Sequence, residues 1–570
     1  MTSHPLLEFI TESSNIKFIN SPIEYFNTLC DMFSAAKRRI VSSCLYIGTS
    51  ELEEKYVDCI VNCKRDNPDL VVDMVLEKSR CTRIEPDDKS TIHLLQPLCK
   101  YDKVNISFFH SPMLDSTINK LCKPPYSEAF GTLHLKIYIA DDVSIISGAN
   151  CSTAYFTNRI DRYMIIDDPI FANVLHTIVA TVQTMSYKLH SDLSLTWNSD
   201  LVNPLDDAFL FKKQIYKRMI AMINMCNETI ESKLKSKLSL EGENVGTIDD
   251  LLTTSSSQKT EPVHKRSKYT KSNASDNPRS ENSKSTSGNL PNLKDLNFEE
   301  ESCEMCGRGY PGKEDSVKKY GIKRKYSPMP GYTRFMLIFQ LGFVTPPIRQ
   351  DELMARDLML NFRKLGHSVL IATSYLNFTN EYLEMSNKLH NCKSENGKGA
   401  FNVMTSSPTS NEFYYSSDLR RFIPYVYCHF QQRLISSAEK SNKGGSETAD
   451  EDSFYIEYTK PGYTFHTKGI WILPEELPQD VKGVSLELFK KSFKGPCAMI
   501  IGSSNFSYRS HYKDFEMSVV VETNSKPVLD GMKEEIYNLL KYTKHVSHST
   551  ISQRLTYKER LLAKVFQQYL

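Results

Sequence analysis

No stretch of this 570-residue chain approaches the roughly 18–20 consecutive apolar residues that a bilayer-spanning helix needs. The longest candidate, FMLIFQLGFV at 335–344, is too short and reads as a buried strand. A lipid substrate would therefore require a protein that sits on the membrane rather than crossing it. Basic excess is also missing: the net charge is only +2, which gives no nucleic-acid signature. Fourteen cysteines occur without regular spacing or a secretory leader, which implies reduced thiols in an intracellular compartment. Cys303 and Cys306 form a C-x2-C with no second pair at zinc-finger spacing, so they read as incidental thiols. GRGYPGKE, Gly307 to Glu314, has Walker-A glycine and lysine spacing, but Glu314 stands where a magnesium-binding Ser or Thr belongs. No strand precedes it, and it is not read as a nucleotide site. The first fifteen residues hold Glu8 and Glu12 and no arginine, unlike an Arg-rich, acid-poor mitochondrial presequence.

What is present is the composition of an ordinary globular protein, 40% apolar and 24% charged, long enough for two to four domains. Its most informative stretch is GTLHLKIYIADDVSIISGANCSTAYFTNRIDRYMIID, Gly131 to Asp167. His134 and Lys136 share one face of an extended segment. Asp141 follows five residues after Lys136, and a second strand runs into a Gly148 turn ending on Asn150. An imidazole, an ammonium and an amide in one segment suit a bound phosphate.

The pattern returns in weaker form. YTFHTKGIWIL supplies His466 and Lys468, and AMIIGSSNFS supplies Gly502 and Asn505. The first histidine lies sixteen residues before its asparagine and the second thirty-nine, so the second copy carries a loop between its strands. Asp161 and Glu516 each lie eleven residues after their asparagine and open an apolar run. One H-x-K carries little information, whereas two copies with register-matched acids point to a duplicated phosphate site.

These residues resemble the two H-x-K-x4-D motifs of the phospholipase D superfamily. SPIEYF, RRIVSSCLYIGTSELE, HLKIYIADD, ISGANCSTAYFTNRIDRY, FHTKGIW and IGSSNFSYRS are similar to the eukaryotic phosphatidylglycerophosphate synthases, over about 17–200 and 330–540. The second motif departs from the full pattern, with Leu473 where an aspartate would stand. The resemblance implies an α/β fold of two phospholipase D-like lobes, each a mixed sheet flanked by helices, sharing one active site. It implies transfer of a phosphatidyl group from CDP-diacylglycerol to sn-glycerol 3-phosphate, releasing CMP, at the mitochondrial inner membrane. It also implies that Asp161 orients His466 and Glu516 orients His134.

Periodicity divides the chain accordingly. Residues 1–200 form a first lobe with the complete motif and 201–240 a helical connection with a stripe through Phe211, Ile215, Met219 and Met222. The polar, low-complexity stretch 241–328 reads as a disordered insert, and 329–548 as the second lobe. Residues 549–570 suggest one amphipathic helix, with Leu555, Leu562, Phe566 and Tyr569 on one side, serving as a structural cap or as a membrane contact. Ser50 and Glu53 have capping-box spacing at a helix start.

Displacement at phosphorus needs an in-line nucleophile and neutralised equatorial oxygens. The candidate catalytic set is His134, Lys136, Asp141, His466 and Lys468, supported by Asn150, Asp161, Asn505 and Glu516. Arg159, Arg162, Arg509 and Lys513 lie beside the motifs as candidates to bind the acceptor's phosphate, or as ordinary loop ion pairs. The mechanism itself requires no cofactor, and the sequence leaves dependence on a divalent cation open. His134, in the complete motif, is the expected nucleophile and His466 the expected acid and base. Two alternatives are another phospholipase D-type phosphodiesterase or phosphatidyltransferase, such as a phospholipase or cardiolipin synthase, and a catalytically dead lipid-binding module suggested by Leu473.

Overall fold

The computed structural model describes residues 5–85, 88–122, 126–240, 331–392, 399–441, 454–478 and 481–569. The expected insert, with its Cys303–Cys306 pair and the Gly307–Glu314 segment, lies outside the described residues. The described parts of 2–244 and 327–570 form one compact unit built on two large sheets.

The first sheet runs Leu195–Thr196, Tyr187–Leu189, Val104–Phe109, Val71–Glu77, Arg39–Ser43, Ile137–Ala140, Val143–Ser147, Tyr163–Asp167, Ile16–Ile19. The second runs Leu7–Glu12, Tyr332–Leu341, Glu516–Thr523, Ala498–Gly502, Gly469–Leu473, Ser368–Ala372, Phe401–Ser406, Tyr455–Tyr458, Thr543–His545. In each sheet three neighbouring strands are parallel: Arg39–Ser43, Val71–Glu77 and Val104–Phe109 in the first, and Ser368–Ala372, Phe401–Ser406 and Tyr455–Tyr458 in the second. On the other side of each trio the ladders are antiparallel, in the same chain order. The two lobes therefore repeat one topology. Parallel strands need crossovers that cover both faces, which is why VVDMVLE and SVLIA read as near-continuous apolar runs.

The covering helices start where their sequences specify. Asp168 accepts hydrogen bonds from the Ile170 and Phe171 amides at 2.9 Å, and Pro169 opens the helix Pro169–Gln183. That helix is buried on nearly every side, and Phe171, Leu175, Ile178 and Val182 join a core that also takes residues from both sheets. The connection is a helix, Ala208–Leu240, and its expected stripe of Phe211, Ile215, Met219 and Met222 is fully buried in the same core. One continuous apolar core thus joins the lobes.

Three expectations are corrected. The N-terminal strand Leu7–Glu12 pairs with Tyr332–Leu341, so the first residues of the chain belong to the second sheet and not to the first lobe. Glu53 does not close a capping box on Ser50; its buried carboxylate accepts from the Thr153 amide and, at 2.8 Å, from the Thr153 hydroxyl. It thereby ties the start of the helix Thr153–Thr157 to the helix Glu51–Asp66. The C-terminal segment is two helices, His548–Gln553 and Tyr557–Phe566, because Thr556 and Glu559 form a capping box that restarts the helix.

Candidate active site

Each histidine is placed by main-chain pairing with the opposite lobe. Thr464–Phe465 forms a parallel ladder with Arg159–Ile160, and the His466 amide donates to the Ile160 carbonyl at 2.8 Å. The His134 amide donates to the Phe515 carbonyl at 2.9 Å, and the Phe515 amide to the Thr132 carbonyl at 2.9 Å. Because Asp161 follows Ile160 and Glu516 follows Phe515, each ladder delivers one lobe's acid to the other lobe's imidazole. His134 Nδ1 lies 2.8 Å from Glu516 Oε2, and His466 Nδ1 lies 2.6 Å from Asp161 Oδ2. The crossed pairs are the ones the resemblance implied.

The lysines repeat the symmetry. Lys136 Nζ donates to the His134 carbonyl at 2.7 Å, and Lys468 Nζ to the His466 carbonyl at 2.9 Å. Lys468 also stands 3.6 Å from Asp161. Gly148 is required for that approach, since a Cβ there would meet Asp161 Oδ1 at 2.6 Å and Lys468 Nζ at 3.0 Å.

Burial shapes the charges. Both imidazoles are pushed below their ordinary value by desolvation; His134 keeps partial compensation from Glu516, and His466 is lowered further by Lys468 and Arg159. Burial also lowers Lys136, to about 7, with nearby Lys468 adding repulsion. Burial opposes ionisation of Glu516, but His134 and Lys136 outweigh it and hold the carboxyl well below the usual range. Burial raises Asp161 against the pull of Lys468. Burial thus favours the neutral form of the His134 ring, whose Nδ1 faces the Glu516 carboxylate.

The two histidines differ at Nε2. The Tyr155 hydroxyl donates to His466 Nε2 at 3.0 Å, whereas His134 Nε2 makes no hydrogen bond among the described residues. Asn150 Nδ2 holds Tyr155 from behind at 3.3 Å, while Asn150 Oδ1 accepts from the Leu45 amide at 3.1 Å. Asn505, its counterpart, has a buried Oδ1 without a partner.

Asp141 is not at this site. It lies at the end of Ile137–Ala140 remote from His134, and its carboxylate accepts from the Lys37, Arg38 and Arg39 amides at 2.9, 2.7 and 3.0 Å. The acid of the H-x-K-x4-D motif therefore bolts a turn to the start of a neighbouring strand. Leu473 takes the same place in the second lobe as a fully buried core residue. Its missing carboxylate removes nothing from the chemistry.

Arg162 is also placed elsewhere than expected. It is 1% exposed, stacked 4.0 Å over Trp471, and bound to Glu535 at 2.7 and 2.9 Å and to the Ile500 carbonyl at 2.7 Å. Its donors are spent on the lobe interface. Arg159 faces the site but pairs with Glu412 at 2.6 Å. Arg509 pairs with Asp514 at 3.2 Å and keeps a buried Nε without a partner. The Lys513 side chain is buried with no ion pair or hydrogen bond among the described residues; its ammonium lies 4.2 Å over Tyr569, with Phe130 and Tyr508 farther off. Burial and Arg509 lower it to about 8.

Tyr155, Tyr375 and Glu412 were not singled out from sequence. Tyr375 donates to Glu412 in a short hydrogen bond and sets its ring edge-on to His466 at 5.7 Å. Tyr155 had a usable signal: it lies five residues after Asn150, where the second copy has Ser510 after Asn505, so it breaks the internal symmetry.

No family model matches the chain. A human protein named CDP-diacylglycerol–glycerol-3-phosphate 3-phosphatidyltransferase, mitochondrial, is 25% identical over 96% of this chain and 81% of its own length. A Dictyostelium discoideum protein, probable CDP-diacylglycerol–glycerol-3-phosphate 3-phosphatidyltransferase, is 25% identical over 99% of this chain and 78% of its own. Over nearly its whole length the chain is similar to the eukaryotic phosphatidylglycerophosphate synthases. For the fold, a solved phosphatidylserine synthase of Haemophilus influenzae matches this chain over its whole length with a TM-score of 0.59 at 16% identity. Among the described residues, no helix is long and apolar enough to cross a membrane.

Proposed function

We propose that the protein transfers the phosphatidyl group of CDP-diacylglycerol to sn-glycerol 3-phosphate, giving phosphatidylglycerophosphate and CMP. The named relatives carry this activity, and the observation that supports it in this chain is the pair of cross-lobe histidine–carboxylate couples with a lysine at each. The protein is mitochondrial, as its relatives are named, and works from the inner-membrane surface.

Neutral His134 attacks the diacylglycerol-bearing phosphorus through Nε2. An N–P bond forms, the P–O bond to CMP breaks, and Glu516 stabilises the charge that develops on the ring. CMP is a phosphate monoester with a second pKa near ~6, so it departs with little protonation. Glycerol 3-phosphate then approaches His466 in place of the Tyr155 hydroxyl. His466 Nε2 takes the proton as the acceptor oxygen forms its P–O bond and the N–P bond breaks. Lys136 and Lys468 neutralise the equatorial oxygens, while Lys513 and the free Nε of Arg509 receive the acceptor's phosphate.

His134 is assigned as the nucleophile on its unengaged Nε2 and not on Asp141, which is elsewhere. Incubation with CDP-diacylglycerol and labelled glycerol 3-phosphate, scoring lipid product and CMP, tests the activity. CMP without glycerol-dependent product would indicate a hydrolase, and neither product a binding module.

A further inference from the structure

Among the described residues, eight of the fifteen exposed large apolar side chains come from three places: the C-terminal helix, the turn before Phe422, and the pair Leu121 and Tyr126. The helix Tyr557–Phe566 buries Ala563 against Val426, Tyr427 and Phe430 and turns Tyr557, Leu561 and Val565, one ridge at i, i+4 and i+8, to solvent. The Lys558 ammonium lies 4.1 Å over the ring of Phe422, which follows exposed Tyr415 and Leu419 in the chain. Arg420 lies within electrostatic reach of Tyr126. The three segments are thus neighbours.

The same segments lead into the site. Tyr126–Phe130 runs directly into Gly131–His134, and Phe130 meets Tyr569 edge-on at 5.3 Å. The turn that exposes Tyr415 and Leu419 begins beside Glu412, the partner of Arg159. Lys120, Arg421, Lys558 and Lys564 flank the apolar side chains in sequence. The nearby carboxylates are already engaged: Asp418 with Arg420, Glu559 with its own helix cap, and Glu412 with Arg159.

We infer that this face is a monotopic docking surface for an anionic bilayer. The Tyr557–Leu561–Val565 ridge and the Tyr415–Leu419 turn enter the headgroup boundary so that the lipid substrate passes to His134 without leaving the membrane. Apolar anchors with tyrosines at the interface and a cationic rim fit that partner better than a protein surface. The inference rests on the lipid substrate of the proposed function and adds where and how the bilayer is met.

Purified full-length chain is sedimented with phosphatidylcholine vesicles, with or without roughly one third phosphatidylglycerol. Wild type binds the anionic vesicles and releases as salt rises. Leu561→Glu with Val565→Glu, and separately Tyr415→Ser with Leu419→Ser, each weaken binding by roughly tenfold or more. Turnover on vesicle-embedded CDP-diacylglycerol falls in parallel, while turnover on substrate dispersed in detergent micelles is unchanged and shows that the variants are folded. Wild-type failure to bind, or variants that bind like wild type, overturns the docking surface. So does loss of a wild-type dimer in the variants with vesicle binding retained, which would make a second copy the occupant. Absence of transferase activity on every substrate, with vesicle binding still lost in the variants, would refute the proposed function and leave the surface standing.

Discussion

Replacing Asp141 by asparagine separates the sequence motif from the geometry. The carboxylate accepts three backbone amides, those of Lys37, Arg38 and Arg39, at 2.7 to 3.0 Å, and Arg39 Nε donates to the Asp141 carbonyl at 2.9 Å. Asp141 adopts φ +53°, which asparagine tolerates and alanine does not. Hydrogen bonds to a charged acceptor contribute about 1.5–3 kcal/mol each when buried, and this side chain is 24% exposed. Asparagine keeps one acceptor oxygen, so the expected loss is about 2–3 kcal/mol of stability. A catalytic group of the H-x-K set would instead be expected to lose more than roughly a hundredfold in rate, about 2.7 kcal/mol on the barrier. The measurements are thermal unfolding by circular dichroism and initial rates of lipid product at a temperature where both proteins are folded. Asp141→Asn should melt several degrees lower and keep kcat/KM within about threefold. Unchanged melting with a rate loss of two orders of magnitude would refute the assignment and return Asp141 to the chemistry.

His134→Ala should release no CMP, whereas His466→Ala should release CMP slowly and stall with lipid attached to the protein, read by acyl-labelled CDP-diacylglycerol and peptide mapping. Covalent lipid retained in His134→Ala reverses the roles. Lys513→Ala should raise the KM for glycerol 3-phosphate much more than that for CDP-diacylglycerol, while Arg162→Ala should lower the melting temperature, since its partners are Glu535, Trp471 and Ile500. An acceptor-specific KM effect in Arg162→Ala would contradict its structural placement. In pH profiles of CMP release, the acid limb should lie below the usual histidine range of ~6.5, because burial lowers His134 and the reactive form is neutral. The alkaline limb should reflect loss of the Lys136 charge, which sits at about 7 in the free protein, and should move up in Lys136→Arg.

Much of the fold was legible because the strands carry their own signal. The runs at 71–77, 104–109, 143–147 and 368–372 are rich in β-branched and other apolar residues, and Pro169 marks a helix start. The site was legible only as pairs of residues at matched offsets: His134 with Lys136, His466 with Lys468, and Asp161 with Glu516. Glu412 and Tyr375 left no such trace, because they reach His466 from segments with no counterpart at the same register. The misreadings share one cause. Spacing along a chain records neighbours in sequence, so it gave Asp141 to the histidine and Arg162 to the substrate, although a strand separates the first and the lobe interface claims the second.

The ladders that seat His134 and His466 make the reactive centre a readout of lobe assembly. Neither lobe contains an oriented imidazole alone, because each ring is aimed by a carboxylate that the other lobe carries. A nascent or half-folded chain accordingly has its histidines but no directed nucleophile, and the proposed lipid intermediate has no place to form until both halves have docked. Partial unfolding at the interface should extinguish turnover ahead of global melting, and two separately made halves should be silent apart and active on mixing.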